Sequence, residues 1–299
     1  MSGAPVGVIG AGNMGGAMVE RLREAGWAVT VCDIDPLRQR QAMAAGASLA
    51  DSPEQVARTL GPGHALIVVV VDTAQVREVL WGPRGAAQAL QRGQTVLLCP
   101  TIAPQDVEAI AGDLERQGVD CIDAPLSGGP VRARDGRMSL MVAGPEPVLA
   151  SQAALLSALS DHVMRISDRV GDGARTKLVN NLLAGINLVG AAEALAMAER
   201  LGLDLSTTLD VIERSSGQSW VGSDRMRRAV AGDFAPRAHV TLLEKDTRLA
   251  VAAGRAAGFE GPLGARAARV FEQAHEAGMA ALDDGALLKL LRQAPPSKP

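Results

Sequence analysis

The sequence predicts an α/β protein: a doubly wound parallel sheet in the N-terminal half, then an all-α C-terminal domain, the two joined by a long interdomain helix. Three observations lead there. From residue 5 to about 166, short β-branched runs alternate with helical stretches. Those runs are apolar without polar alternation, the pattern of strands covered on both faces. Beyond 166 the strand signal stops and helical stretches follow one another. The expected domains are therefore 1–166 and 167–292, with 293–299 a Pro-rich tail expected to be disordered.

The strand candidates are 6–10, 28–33, 65–71, 95–99, 119–123 and 139–143. Between them lie helical stretches at 15–25, 36–45, 52–59, 74–80 and 104–117. Residues 174–201 read as one helix, apolar nearly all round from 182 onward, as a helix packed on several sides would be. Further helices are expected at 204–215, 223–231, 240–257, 262–277 and 284–291.

Composition narrows the function. The 299 residues carry a formal charge of -3, and neither half is expected to carry a Lys/Arg-rich face, which argues against a nucleic-acid or anionic-membrane binder. The longest apolar runs are 65–71 and 182–198, the second broken by Asn187 and Glu193, and neither is expected to span a bilayer. The N-terminus enters a strand by residue 5 without a basic, cleavable leader, so the expected location is cytoplasmic. Cys32, Cys99 and Cys121 lie in or beside apolar runs and read as free, buried thiols in a reducing compartment. His64, His162, His239 and His275 lack the close spacing of zinc ligands, and no metal is expected. There is no tyrosine, which excludes a Tyr acid, base or nucleophile. Only four of the 30 basic residues are lysine (Lys177, Lys245, Lys289 and Lys298), so a lysine in the folded region is a candidate for chemistry that arginine cannot perform.

Gly10-Ala11-Gly12-Asn13-Met14-Gly15 follows the first strand candidate and opens the first helix. Gly10 permits a tight turn, Gly12 lets a pyrophosphate approach the backbone, and Gly15 lets helix and strand pack closely. The helix N-terminus adds N–H groups and partial positive charge. Asp33, 18 residues past Gly15, stands where a carboxylate would accept from adenosine ribose hydroxyls. Together these make the first domain a Rossmann-type dinucleotide-binding domain. Asp33 favours NAD, and Arg38 and Arg40 nearby leave NADP open.

A second cluster, Asp123-Ala124-Pro125-Leu126-Ser127-Gly128-Gly129-Pro130, follows the 119–123 run at the carboxyl edge of the expected sheet. The Ser127 hydroxyl and the backbone N–H groups of Gly128 and Gly129 suit a small carboxylate, although such a stretch alone is more often just a loop. Gly171-Asp172-Gly173-Ala174-Arg175-Thr176-Lys177-Leu178-Val179-Asn180-Asn181 then starts the long helix, with Lys177 and Asn181 one turn apart on one face. The bland reading is a solvated pair. The apolar remainder of the helix and the scarcity of lysine favour a face directed into a cleft between the domains. There an ammonium whose pKa burial lowers can give and take a proton.

These motifs, with Lys245-Asp246, occur in one order over residues 5 to 290, and the chain resembles the β-hydroxyacid dehydrogenases, a group that includes 3-hydroxyisobutyrate dehydrogenase, tartronate semialdehyde reductase and L-threonate dehydrogenase. The resemblance implies Lys177 as catalytic acid/base and Asn181 as the residue orienting substrate. It implies Ser127, Gly128 and Gly129 on the substrate carboxylate, Thr101 beside the nicotinamide, and Lys245 closing over cofactor and substrate. Gly10, Ala11, Gly12, Asn13, Met14, Gly15, Asp33, Val70 and Val71 complete the implied cofactor set, NAD being the expected cofactor. It further implies a homodimer or homotetramer built largely through the helical domain, and a small hydroxy-carboxylate or semialdehyde as substrate.

The chain departs from the pattern in two places. Val70-Val71-Asp72 stands where relatives often have Leu-Pro, and 234–240 lacks the Gly-Gly-Phe stretch of several relatives. Ser219-Trp220, Arg225 and Gly232-Asp233 are most similar to the L-threonate branch, while Ser216-Gly217 and Trp220 also fit the hydroxyisobutyrate branch. Trp220 is a candidate substrate contact, with packing the commoner role for such a residue. His239 reads as structural or exposed rather than as a second base. Two alternatives stand beside this reading: an imine reductase, which tends to carry Asp or Tyr at the Lys177 position, and a non-catalytic dinucleotide-binding module.

Overall fold

The computed structural model describes residues 4–293, and the chain divides into two compact units, Met1–Lys177 and Leu178–Pro299. The first unit alternates strand and helix through β1 (Pro5–Ile9), α1 (Asn13–Glu24), β2 (Ala28–Cys32), α2 (Pro36–Ala44), β3 (Ser48–Leu49), α3 (Pro53–Arg58), β4 (Ala65–Val68), α4 (Thr73–Trp81), β5 (Thr95–Leu98), α5 (Pro104–Glu115) and β6 (Asp120–Asp123). It continues through β7 (Leu126–Ser127), α6 (Gly129–Arg134), β8 (Ser139–Ala143), α7 (Glu146–Ser151), α8 (Ala153–Leu159) and β9 (His162–Ser167). Helix α9 (Asp172–Arg200) runs on into the second unit, which holds α10 (Leu205–Glu213), α11 (Trp220–Val230), α12 (Val240–Ala256), α13 (Gly264–Ala274) and α14 (Leu287–Gln293). Gln293 thus closes a helix instead of opening the tail, and 294–299 lie outside the described residues.

Local chemistry sets many of these helix starts. Asp35 and Asp72 cap α2 and α4 by accepting from Leu37 N and Gln75 N, and Ser52 caps α3 by accepting from Gln55 N. Pro36 and Pro53 follow their caps in the first turn, where a missing N–H costs nothing. Asp204 and Ser219 cap α10 and α11 in the same way.

The sheet order is β3-β2-β1-β4-β5-β6-β8-β7, with β9 on β8. Strands β3 to β6 along this order are parallel, and their last residues are in register: Cys32, Ile9, Val68, Leu98 and Asp123 pair across one row. Alternate residues feed two cores. Ile67, Leu97 and Val8 pack with Met18 and Leu22 on one face, and Leu66, Val68, Val96 and Leu98 pack with Ile110 and Leu114 on the other. This is why the runs read as unbroken apolar segments.

The expectation of a wholly parallel sheet needs correction. β8 is antiparallel to both β6 and β7, because α6, with six residues and a rise of roughly 9 Å, is too short to carry the chain back along the sheet. The chain therefore returns from the edge it left. Strands β3, β7 and β9 were not expected: two are two-residue pairings, and β9 is a partly exposed strand with His162 and Arg165 in it. The 65–71 run also leaves the sheet at Val68.

In the second unit, Leu188, Leu195, Leu209, Met226, Val240, Phe271, Leu287 and Leu288 form the core. Two buried ion pairs, Arg228–Asp283 (2.9 Å) and Arg225–Asp284 (2.5 Å), fasten α11 to the turn before α14. Helix α9 is not packed all round within the chain. Leu188, Ala192 and Leu195 are buried, while Val179, Leu183 and Met197 are exposed. By length and composition α9 could cross a bilayer, which the 182–198 run alone did not indicate. Phe271 is fully buried among these helices. Phe271→Ala is expected to cost about 3–5 kcal/mol, read as a lowered urea midpoint with an unchanged slope.

Candidate active site

Because the row of last strand residues is level, the segments that follow it emerge along one edge: Gly10 after β1, Asp33 after β2, Val69 after β4, Cys99 after β5 and Ala124 after β6. Ligands bind open parallel sheets at such an edge. The turn from β1 to α1 is fixed by backbone contacts. Gly10 has φ +92°, and a Cβ there would lie 2.5 Å from the Val69 carbonyl oxygen. A Cβ on Gly15 would lie 2.0 Å from the Gly10 carbonyl oxygen. Gly12 has open space above it and caps α1 without any side-chain hydrogen bond. This N-terminus, unlike those of α2, α3 and α4, keeps its N–H groups clear of a side-chain cap, as a bound pyrophosphate requires.

Asp33 closes the other side of this turn. Its Oδ2 accepts from Ala11 N at 2.5 Å and its Oδ1 from Asp35 N at 2.8 Å. Arg38 reaches the same loop, donating to Asn13 Oδ1 at 2.9 Å, whereas Arg40 is exposed. Val70 lies beside Gly10, its Cγ1 3.4 Å from where a Cβ would stand, and Val71 is exposed. Met14 is half-buried against the core. Thr101 is half-buried in the segment after β5. Ser127 pairs with Ser139 in the β7–β8 ladder, and Gly128 and Gly129 follow with φ +124° and +76°, a conformation that favours glycine at both positions.

Lys177 sits on the second turn of α9 and is only 7% exposed. Asn181, one turn further on and equally buried, donates from Nδ2 to Asp246 Oδ2 at 2.6 Å and accepts at Oδ1 from Asn180 at 3.0 Å. Lys245 Nζ donates to the other oxygen of Asp246 at 2.8 Å. One buried carboxylate on α12 thus holds both Asn181 and Lys245. The sequence names Asp246 only as the neighbour of Lys245 in the Lys245-Asp246 motif and gives it no role of its own. The expected set is divided: Asn181, Trp220 and Lys245 belong to the second unit and the rest to the first. Trp220 opens α11, 44% exposed, with the Arg225 guanidinium 6.0 Å from its ring. His239 precedes α12 and contacts the Ala281 carbonyl at 3.1 Å. The three cysteines are buried and unpaired, and burial pushes the Cys99 thiol up to about 12.

Gly15→Ala tests the loop. The added methyl meets backbone, which cannot swing aside, so the turn must open, and NADH affinity measured by fluorescence titration is expected to fall about tenfold or more.

Comparison with known proteins agrees with this geometry. Residues 5–167 match the family model for the NAD binding domain of 6-phosphogluconate dehydrogenase. Residues 171–291 match that for the NAD-binding region of NADP-dependent 3-hydroxyisobutyrate dehydrogenase. An L-threonate dehydrogenase from Cupriavidus necator is 36% identical over 286 residues, 95% of each chain. The crystal structure of 3-hydroxyisobutyrate dehydrogenase from Salmonella typhimurium superposes with a TM-score of 0.90 at 35% identity, covering 96% of this chain and 99% of that one. The imine reductase from Myxococcus stipitatus in complex with NADP+ has a TM-score of 0.67 at 19% identity over 96% and 99%, a likeness of fold alone. By sequence match along nearly its whole length, the chain belongs to the β-hydroxyacid dehydrogenase family.

Proposed function

We propose that this NAD(P)-dependent hydroxyacid dehydrogenase acts on a small polyhydroxy acid of the L-threonate type, with Lys177 as the group that gives and takes the proton. The observation that supports this most is Lys177 itself. A chain that uses arginine for nearly every cation places a lysine almost out of water in the second turn of α9. A buried ammonium with an accessible neutral form is a usable acid and base, which guanidinium is not. The substrate class follows the relatives that carry the L-threonate dehydrogenase name and the similarity of Ser219-Trp220, Arg225 and Gly232-Asp233 to that branch.

The residues present fit a dinucleotide: an α1 N-terminus without a side-chain cap, a clear approach over Gly12, and Asp33 held on two backbone N–H groups. When bound, the nicotinamide supplies the hydride acceptor or donor. The residues of this chain do the rest. The N–H groups of Asn13, Met14 and Gly15 hold the pyrophosphate, Asp33 takes the ribose hydroxyls, and Val70, Val71 and Thr101 bound the cofactor. Ser127, Gly128 and Gly129 hold the substrate carboxylate. Neutral Lys177 takes the hydroxyl proton during oxidation, and its ammonium returns it during reduction. Asn181 orients the substrate, Trp220 lines its distal end, and the Lys245 ammonium engages the cofactor.

In this reading 1–166 are the dinucleotide-binding domain, which also carries the 127–129 turn for the substrate carboxylate, and 167–292 are mainly the substrate and assembly domain. The exposed Val179, Leu183 and Met197 on α9 are covered by a second copy of the chain in a cytoplasmic homodimer or homotetramer.

A panel of three- to five-carbon hydroxy acids and semialdehydes, assayed separately with NAD and NADP, is expected to give its highest kcat/KM with L-threonate and NAD. Lys177→Ala is expected to lower kcat by about 10²- to 10⁴-fold while NADH affinity is kept, and Lys177→Arg to be nearly as inactive. Wild-type turnover in the alanine variant would remove Lys177 from this role. Light scattering on the purified chain checks the assembly, a monomer being the contrary result.

A further inference from the structure

Asp123 is a carboxylate that the proton transfer does not use, and it is only 1% exposed. It ends β6, paired with Leu98 on one side and Ala143 on the other. Its Oδ2 accepts from Gly171 N at 2.9 Å and Ala174 N at 2.8 Å. These are groups at the start of α9 that the helix cannot satisfy itself. The approach is close enough that a Cβ on Gly173 would stand 3.0 Å from the carboxylate. A strand residue thus caps a helix 48 residues away in sequence. Ala174, inside this grip, lies one turn before Lys177. Four residues beyond Asp123 comes Ser127, in a segment held by Ala124 N to Leu98 O (2.8 Å) and Met141 N to Pro125 O (2.9 Å).

We infer that Asp123 is a positioning residue: by gripping the first amides of α9, its carboxylate sets the place of Lys177 relative to the 127–129 turn that leaves the same strand. This rests on the reading of Lys177 as the acid/base. The grip is strongest when the carboxylate is charged, since the helix N-terminus favours an anion. Burial nevertheless pushes this carboxyl up to about 6, against the pull of the Gly171, Gly173 and Ala174 amides and with a further push from Asp172. The groups around it are few. Cys99 and Cys121 are thiols that burial keeps neutral. Asp172 is paired with Arg169 and Arg175, and Glu108 of α5 is paired with Arg175.

The sign of the linkage separates positioning from stability. A carboxyl raised in the folded chain contributes stability that is full below about pH 4 and is lost as pH rises through about 6. At neutral pH the charged form therefore lowers stability relative to a neutral group of the same shape, while improving the cap on the Lys177 helix.

Asp123→Asn keeps an oxygen for the two amides and removes the charge. At pH 8 its thermal midpoint is expected to stay within about 3 °C of wild type or to rise. KM for NADH is expected to hold within about twofold while kcat falls about tenfold or more, the penalty of a misplaced proton donor. In the reduction direction the ammonium of Lys177 persists at low pH, so a wild-type fall in kcat below about pH 6 reports Asp123, and the asparagine variant lacks it. An unchanged kcat with the same acid limb overturns the inference, as does a loss of kcat matched by an equal loss of stability. Hydrogen exchange at the amides of 171–174 reads the grip without turnover. For openings that lift the helix start off a carboxyl still buried in the sheet, protection corrected for the intrinsic exchange rate is expected to drop below about pH 6 in wild type and not in the variant, and no such step overturns the inference. A wild-type chain inactive on every hydroxy acid instead sinks the functional reading, with the exchange result still deciding Asp123.

Discussion

The carbonyl oxygen of Gly10 occupies the space that a side chain at residue 15 would need, and much of the first unit is arranged around that contact. It brings the end of β1 and the start of α1 closer together than any Cβ permits. The parallel register then carries the same level across β2, β4, β5 and β6, so that Asp33 and Val69 emerge on either side of the loop and Ala124 three strands further along the same edge. The unit's chemistry is laid out along one row of strand ends. The backbone there is pinned on several sides, by Val69 N to Ile9 O, by Gly10 N to Cys32 O and by Ala11 N to Asp33.

Buried charge is used sparingly and for placement. Asp246 spends one oxygen on Asn181 and the other on Lys245. Because a carboxylate only accepts, it also dictates which end of the Asn181 amide faces it, and the Asn180 bond to Oδ1 agrees. The surface arginines, in contrast, pair with exposed carboxylates such as Glu260 and Glu272, contacts that solvent makes nearly neutral in energy. Of the other lysines, Lys289 packs over the Phe234 ring at 5.0 Å, a structural place, and Lys298 lies outside the described residues.

How far a feature was legible depended on how local its cause is. The glycine loop, its strand and its helix were readable because each glycine answers a constraint within a few residues. The six apolar runs became strands because burial on both faces leaves an unmistakable composition. Strand β9 was hidden, since a partly exposed strand with His162 and Arg165 in it has no such composition. The reversal of β8 was hidden as well: strand direction depends on which edge the chain re-enters, and periodicity does not record that.

The sequence by itself determined which residue types could do chemistry. Without tyrosine and with four lysines, it confined proton transfer to few positions and put Lys177 and Asn181 one helical turn apart. Only the tertiary structure decided what holds them. The partner of Asn181 is 65 residues away on α12, and the cap of α9 comes from Asp123, 51 residues before Ala174. Such pairings arise from the packing of whole elements, in which a buried polar group must find a partner wherever the fold supplies one. No local pattern in the chain encodes that distance.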